Sequence, residues 1–194
     1  MSDYSEDIRQ AVEVLRKGGV ILYPTDTVWG LGCDATNSEA VKRIFQIKRR
    51  ADAKALITLV GSIAQLERTV DEVPEVAYQL IEFSDRPMTI VYDAPLASAH
   101  IAPELLAEDG TIGVRVTAEE FSAGLCRAFR KPLVSTSANI SGSPAPEVYT
   151  QIDPEILAAV DYVCLSRRNE APGGARPSSV IRLSAGGLFK IIRE

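Results

Sequence analysis

Short apolar runs alternate with helix-patterned stretches along the whole chain, and this alternation is what most narrows the folds open to it. Ile8, Ala11, Val12 and Leu15 share one helical face, and Gly18-Gly19 ends that segment before the apolar run Val20-Ile21-Leu22-Tyr23, read as a buried strand. Ser38 caps a second amphipathic stretch carrying Val41, Ile44, Phe45 and Ile47, which closes in the cationic Lys48-Arg49-Arg50. A strand is expected over 55–60, followed by helices over 62–68 and 74–83, the latter with Pro74 in its first turn. Further strands are expected over 88–92, 111–116 and 133–137, with a helix over 118–129 between the last two and a polar loop over 138–146. Asp153-Pro154 opens a short helix ending near Val160, and 162–165, 179–183 and 188–193 read as closing strands around a Gly- and Pro-rich loop at 171–177. The elements are too interwoven for two domains, and no repeat or composition shift marks a linker. The expectation is one α/β domain over residues 1–194, a twisted mixed sheet flanked by helices.

Bulk properties exclude more than they assign. A formal net charge of −5 argues against a generic nucleic-acid binder, because non-specific affinity comes from neutralising phosphates, although a local basic pocket stays open. The single histidine, His100, removes mechanisms built on a histidine base or a multi-histidine metal site. Cys33, Cys126 and Cys164 are widely spaced and odd in number, so they are expected as inert buried thiols rather than a disulfide or metal framework. No apolar run approaches a membrane span and the start is acidic where a signal peptide is basic, so a cytoplasmic protein with no membrane contact is expected.

Three clusters carry chemistry-bearing side chains. Pro24-Thr25-Asp26-Thr27 follows the first strand and places two hydroxyls and a carboxylate at its C-terminal edge, where open α/β sheets bind ligands. Beyond it, Gly30 and Gly32 would let the backbone approach a ligand or adopt positive φ, and Trp29 would wall a pocket; the same residues also suit a tight turn beside a core tryptophan. Lys48, Arg50 and Lys54 lie within seven positions at a helix end and would neutralise a polyphosphate, or simply complement the helix dipole. Arg49 between them is expected to face solvent. The strand leading into Ser135-Thr136-Ser137-Ala138-Asn139-Ile140-Ser141-Gly142 supplies neutral donors and acceptors suited to a base, ribose or phosphate, or to an ordinary structural turn. Neither a P-loop nor a complete G-x-G-x-x-G is present, and no Ser-His-Asp set assembles around His100.

Together these segments resemble the YrdC-like family. Residues 23–32 are similar to its Y-P-T-[DE]-T-x-[YW]-G-L-G signature, Lys48-Arg49-Arg50 to its K-x-R, and Thr111 to Val116 to its T-x-x-x-R-x strand. Ser135-Thr136-Ser137-Ala138-Asn139 with Ser141-Gly142 resembles its S-T-S-A-N-x-S-G loop, and Ser178-Ser179-Val180 its S-T-[IV]. The order and spacing agree over essentially the whole chain. Two prolines of the family pattern are missing, at Ala51 and Ala55, and Asp85-Arg86-Pro87-Met88-Thr89 stands where P-G-P-x-T is expected.

The resemblance implies a YrdC/RibB-like α/β fold around a large cavity and a nucleotidyltransferase reaction in which L-threonine, bicarbonate and ATP with Mg²⁺ give threonylcarbamoyl-AMP and pyrophosphate for tRNA modification. Carried over residue by residue, Thr27, Arg115 and Ser179 would hold threonine. Lys48, Arg50 and Lys54 would engage ATP phosphates, with Lys48 and Arg50 as the catalytic cations. Thr111, Ser135, Ser137, Asn139 and Arg193 would position the nucleotide. Partners would be tRNA or the tRNA-modification proteins that take the product. Two alternatives use the same cavity: a YciO-type non-catalytic paralogue binding nucleotide or double-stranded RNA, and a carbamoyl-AMP-forming domain of the hydrogenase-maturation type.

Overall fold

The computed structural model describes residues 4–49, 56–173 and 177–193. Its helices are α1 (Ser5–Arg16), α2 (Ser38–Ile47), α3 (Ile63–Leu66), α4 (Glu75–Phe83), α5 (Glu120–Phe129) and α6 (Pro154–Ala159). The strands are β1 (Ile21–Tyr23), β2 (Gly30–Gly32), β3 (Ile57–Val60), β4 (Met88–Tyr92), β5 (Ile112–Val116), β6 (Leu133–Ser137), β7 (Tyr162–Val163), β8 (Ser179–Leu183) and β9 (Phe189–Arg193). All nine join one mixed sheet in the order β7-β1-β2-β6-β3-β5-β4-β8-β9, with β1/β7, β3/β5 and β4/β8 parallel and the other pairs antiparallel. This is the twisted, helix-flanked sheet that the alternating pattern predicts.

The apolar run at 20–23 works because both of its faces are covered. Ile21 and Tyr23 pack with Ala11, Val12 and Leu15 of α1 and Phe121 and Leu125 of α5, whereas Val20 and Leu22 pack with Val41 and Ile44 of α2. Strand geometry turns successive side chains to opposite faces, so a strand sandwiched between helices must be apolar at every position. Gly18, at φ 78°, ends the first helix as its position suggests. At the second helix the cap moves by one: Asn37 accepts from the Ala40 N–H at 3.2 Å, and Ser38 is already helical. Arg49 is exposed and paired with Glu155 at 2.5 Å.

Strand β2 has no sequence signal, since Gly-Leu-Gly is a poor strand former. Neither of its glycines adopts positive φ; Gly32 serves close packing, whereas Gly30 brings its backbone to a cavity beside Thr25 and Thr27. A Cβ on Gly32 would lie 2.6 Å from the Tyr23 ring and 3.0 Å from the Val134 carbonyl oxygen, so the ring occupies the space a side chain would need. Trp29 likewise belongs to the core, buried and 5.5 Å from Tyr149 between ring centroids, and is not among the residues lining the cavity that Thr27 and Val28 reach. All three cysteines are buried free thiols, and burial pushes their pKa up, to about 12 for Cys126. Among the described residues no helix is long and apolar enough to cross a membrane.

Candidate active site

The site is produced by the same alternation that builds the core. Along β5, Ile112, Val114 and Val116 face a cluster with Ile90 and Tyr92 of β4 and Ile181 and Leu183 of β8. The intervening positions therefore share the opposite face: Gly113 and Arg115 of β5, Thr89 and Val91 of β4, Val180 and Arg182 of β8. That face is not covered by a helix but by two adjoining cavities, of about 270 and 710 Å³. Leu56, Ile57 and Arg193 line both and form the partition between them. Gly113 carries no side chain where the larger cavity opens, and Arg115, two residues on, reaches into the smaller one.

In the smaller cavity Arg115 meets Thr27 from the turn after β1 and Ser135 and Ser137 from the end of β6. Thr25 locks that turn: its hydroxyl donates to the Val28 carbonyl at 2.7 Å, accepts from the Thr27 N–H at 3.1 Å and lies 3.0 Å from the Thr27 hydroxyl. Arg115 is almost wholly buried. Its Nη2 lies 3.1 Å from Asp26 Oδ1 and 3.5 Å from Ser135 Oγ, while its Nε has no hydrogen-bond partner among the described residues. Asp26 Oδ1 also lacks an aligned hydrogen bond. Burial raises the Asp26 pKa above the ordinary aspartate value, and the Arg115 charge opposes that rise.

The larger cavity is lined by Thr89, Gly113 and Thr111, whose hydroxyl and N–H donate to Asp109 at 2.7 and 3.2 Å. Those hydrogen bonds, and Arg182 at 2.8 Å from the same carboxylate, bring the Asp109 pKa down to about 2. Arg193 is anchored by its Nε and Nη2, which donate to the Ser178 carbonyl at 3.1 and 2.7 Å.

Thr27, Arg115, Ser135, Ser137 and Arg193 therefore converge on one cavity, with Thr111 in the adjoining one. Ser179 lines neither: the residue that reaches the smaller cavity is Ser178, whose hydroxyl is 2.9 Å from that of Thr89. Neighbouring positions on an extended chain point oppositely, so a one-residue shift decides which serine is presented. Lys48 and Asn139 are absent from both linings. The buried Lys48 ammonium donates to the carbonyls of Ser137 and Asn139 at 2.5 and 2.8 Å and approaches Asn139 Oδ1 at 3.3 Å, tying α2 to the loop after β6. The Asn139 amide nitrogen turns inward, to the carbonyls of Ile140 and Ser143. Arg50 and Lys54 lie outside the described residues.

Sequence reasoning put the Asp26 carboxylate at the strand edge without its Arg115 partner, and gave no role to Arg167. Arg167 donates to the Thr25 carbonyl at 3.0 Å and pairs with Glu119 at 3.2 Å and Glu170 at 2.8 Å, bracing the Thr25 to Thr27 turn from the segment after β7, the strand beside β1. Its backbone sits at φ 60°, a conformation no propensity scale announces.

A strand-edge turn of hydroxyls, a buried arginine and a hydroxyl-rich loop over a mixed sheet define a small-molecule site of the Sua5/YciO/YrdC type. The model of that domain, described as telomere recombination, matches residues 13–194, and the chain belongs to this family. A threonylcarbamoyl-AMP synthase of Stenotrophomonas maltophilia is 36% identical over 182 residues, 93% of this chain and 95% of that protein. The crystal structure of P. abyssi Sua5 complexed with L-threonine is similar at a TM-score of 0.77 and 31% identity, over 91% of this chain and 50% of that one, so this chain spans half of it. E. coli YciO is similar at a TM-score of 0.76 and 29% identity, covering 96% of this chain and 88% of that one.

Proposed function

We propose that the chain is a threonylcarbamoyl-AMP synthase, a nucleotidyltransferase that consumes L-threonine, bicarbonate and ATP and releases pyrophosphate and water. The observation that carries this reading is the Arg115 guanidinium, buried in the cavity with an Nε that has no hydrogen-bond partner among the described residues. A buried charged donor left unmatched costs free energy, and an amino-acid carboxylate would supply the missing acceptor. Thr27 and Ser135 stand in the same cavity to fix the rest of the amino acid.

The chemistry asks for positioning more than for proton transfer. The threonine amine and bicarbonate condense to a carbamate, whose oxygen attacks the α-phosphorus of ATP as the bond to the bridging oxygen of pyrophosphate breaks. Both reactants are anionic, so cationic walls and exclusion of water lower the barrier by holding them in line. Arg115 would neutralise the threonine end and Arg193, on the partition between the cavities, the phosphate end. The larger cavity, lined by Thr89, Thr111 and Gly113, would seat the nucleotide. Lys48 would act by holding the Ser137 to Asn139 segment in shape, and Arg50 and Lys54, which lie outside the described residues, would meet the phosphates.

Magnesium would come with the nucleotide. Among the described residues no group of three or more His, Cys, Asp or Glu side chains could hold a metal ion, and the ATP phosphates would carry the ion. Delivery of the product to tRNA modification and a place in the cytoplasm belong to the same reading. Pyrophosphate release by the purified chain, with ATP and bicarbonate and each of several amino acids, tests it. Release should depend on threonine; release indifferent to the amino acid, or none at all, removes the proposal.

A further inference from the structure

A second cavity, of about 300 Å³, lies at the other end of β6, where Lys131 and Pro132 lead into the strand. It shares no lining residue with the cavities of the candidate active site. Four basic side chains line it from three segments: Arg68 just after α3, His100 after the turn Ala97–Ala99, and the consecutive Arg130 and Lys131 at the end of α5. Thr36 and Ser98 add hydroxyls, and no carboxylate is among its described lining residues. Lys131 has an acid partner, Asp34 at 2.7 Å. Arg68, His100 and Arg130 have no side-chain hydrogen bond or ion pair with a described residue.

Charge of one sign is unexpected in a chain whose formal net charge is −5. Elsewhere Arg43, Arg49, Arg167 and Arg182 each face a carboxylate. The backbone adds a second observation. His100 and Arg130 adopt φ of 50° and 64°, two of only four non-glycine residues at positive φ among those described. Arg130 occupies the position after a helix that glycine fills without strain, so its side chain is kept there against local preference.

We propose that this cavity is a second ligand site, taking a phosphate group. Guanidinium groups from two segments match an anion with several acceptor oxygens better than a single carboxylate, and the Ser98 hydroxyl adds a neutral donor, whereas the Thr36 hydroxyl is already given to Asp34 at 2.7 Å. The phosphate is either a small free anion or a phosphodiester of RNA, and the two sources are separable.

The experiment titrates the isotope-labelled full chain with inorganic phosphate, pyrophosphate and an RNA hairpin at each of several fixed ionic strengths, following the backbone amides of Ser98, His100 and Lys131 by NMR. Arg130→Gly is the informative variant, because glycine relieves the left-handed backbone and should preserve or raise the melting temperature; Arg68→Gln is the companion. Wild type should show saturable shifts, with affinity roughly tenfold weaker or worse in either variant and threonine-dependent pyrophosphate release unchanged. Shifts with phosphate and pyrophosphate identify a small-anion site. Shifts confined to RNA, with a shallower salt dependence in the variants, identify a phosphodiester site. No saturable shift with any of the three, or unaltered affinity in both variants, overturns the proposal.

Discussion

Replacing Arg115 by methionine keeps most of the side-chain volume and removes the charge that faces Asp26. The pair is deep, with side-chain exposures of 3% for Arg115 and 14% for Asp26. Removing one partner of a buried pair costs about 3–5 kcal/mol, because the remaining charge stays desolvated. Asp26 can escape part of that cost by taking up a proton, which favours the lower end. For a chain of this size each kcal/mol moves Tm by about 2–4 °C, so a fall of roughly 6–12 °C is expected near neutral pH. The pH dependence follows from the sign of the shift. Burial already holds the folded-state pKa of Asp26 above its ordinary value, and Arg115 pulls it down, so the variant should raise it further. A group whose folded pKa exceeds the unfolded one stabilises the fold fully below the unfolded pKa and loses that contribution as pH rises through the folded pKa. The gap between Arg115→Met and wild type should therefore narrow on acidification toward the ordinary aspartate range. Thermal melts of wild type, Arg115→Met, Asp26→Asn and the double variant across that range would measure it, with a coupling of about 1–3 kcal/mol between the sites. Unchanged melting in Arg115→Met, a gap that ignores pH, or strictly additive effects would refute the reasoning.

Lys48→Met should cost roughly 2 kcal/mol of stability and also raise the KM for ATP, because its ammonium holds two loop carbonyls, and melts combined with nucleotide titration would check both. A loss of ATP affinity with no change in melting would instead place Lys48 directly on the phosphates. Gly32→Ala should destabilise by about 1–3 kcal/mol, since the new methyl meets the Tyr23 ring at 2.6 Å, as chemical denaturation would show. Ser178→Ala should lower kcat/KM for threonine several-fold while Ser179→Ala leaves it nearly unchanged; steady-state kinetics yielding the reverse order would contradict the placement of these serines.

Much of the scaffold was legible because it follows from periodicity. The sandwiched run at Val20 to Tyr23, the amphipathic helices and the strand bearing Arg115 each have a pattern that burial enforces. Strand β2 was not legible: Gly32 makes room for a ring that is distant in any local window, and only the tertiary contact with Tyr23 explains it. That Thr27, Arg115, Ser135 and Ser137 belong to one site was implied by the resemblance to the YrdC-like family, whereas the serine that lines the cavity was not, because the alternation of an extended segment fixes its face only once the register is known. The inward turn of Lys48 had no signal either. A cation at a helix end reads the same whether its donors meet a ligand or the carbonyls of a loop. Arg167 was invisible for a similar reason, since Thr25 and Glu119 lie far from it in sequence and its left-handed backbone has no residue code.

The central claim is that the two adjoining cavities together assemble an amino acid, a carbon from bicarbonate and the adenylyl group of ATP. Its most direct measurement is mass spectrometry of the nucleotide product formed from labelled bicarbonate, ATP and threonine by the purified chain. The account predicts an AMP adduct carrying one threonine and one labelled carbon, lost in Arg115→Met. Free AMP or unconsumed ATP as the only nucleotide, with wild-type protein that binds threonine, would contradict it.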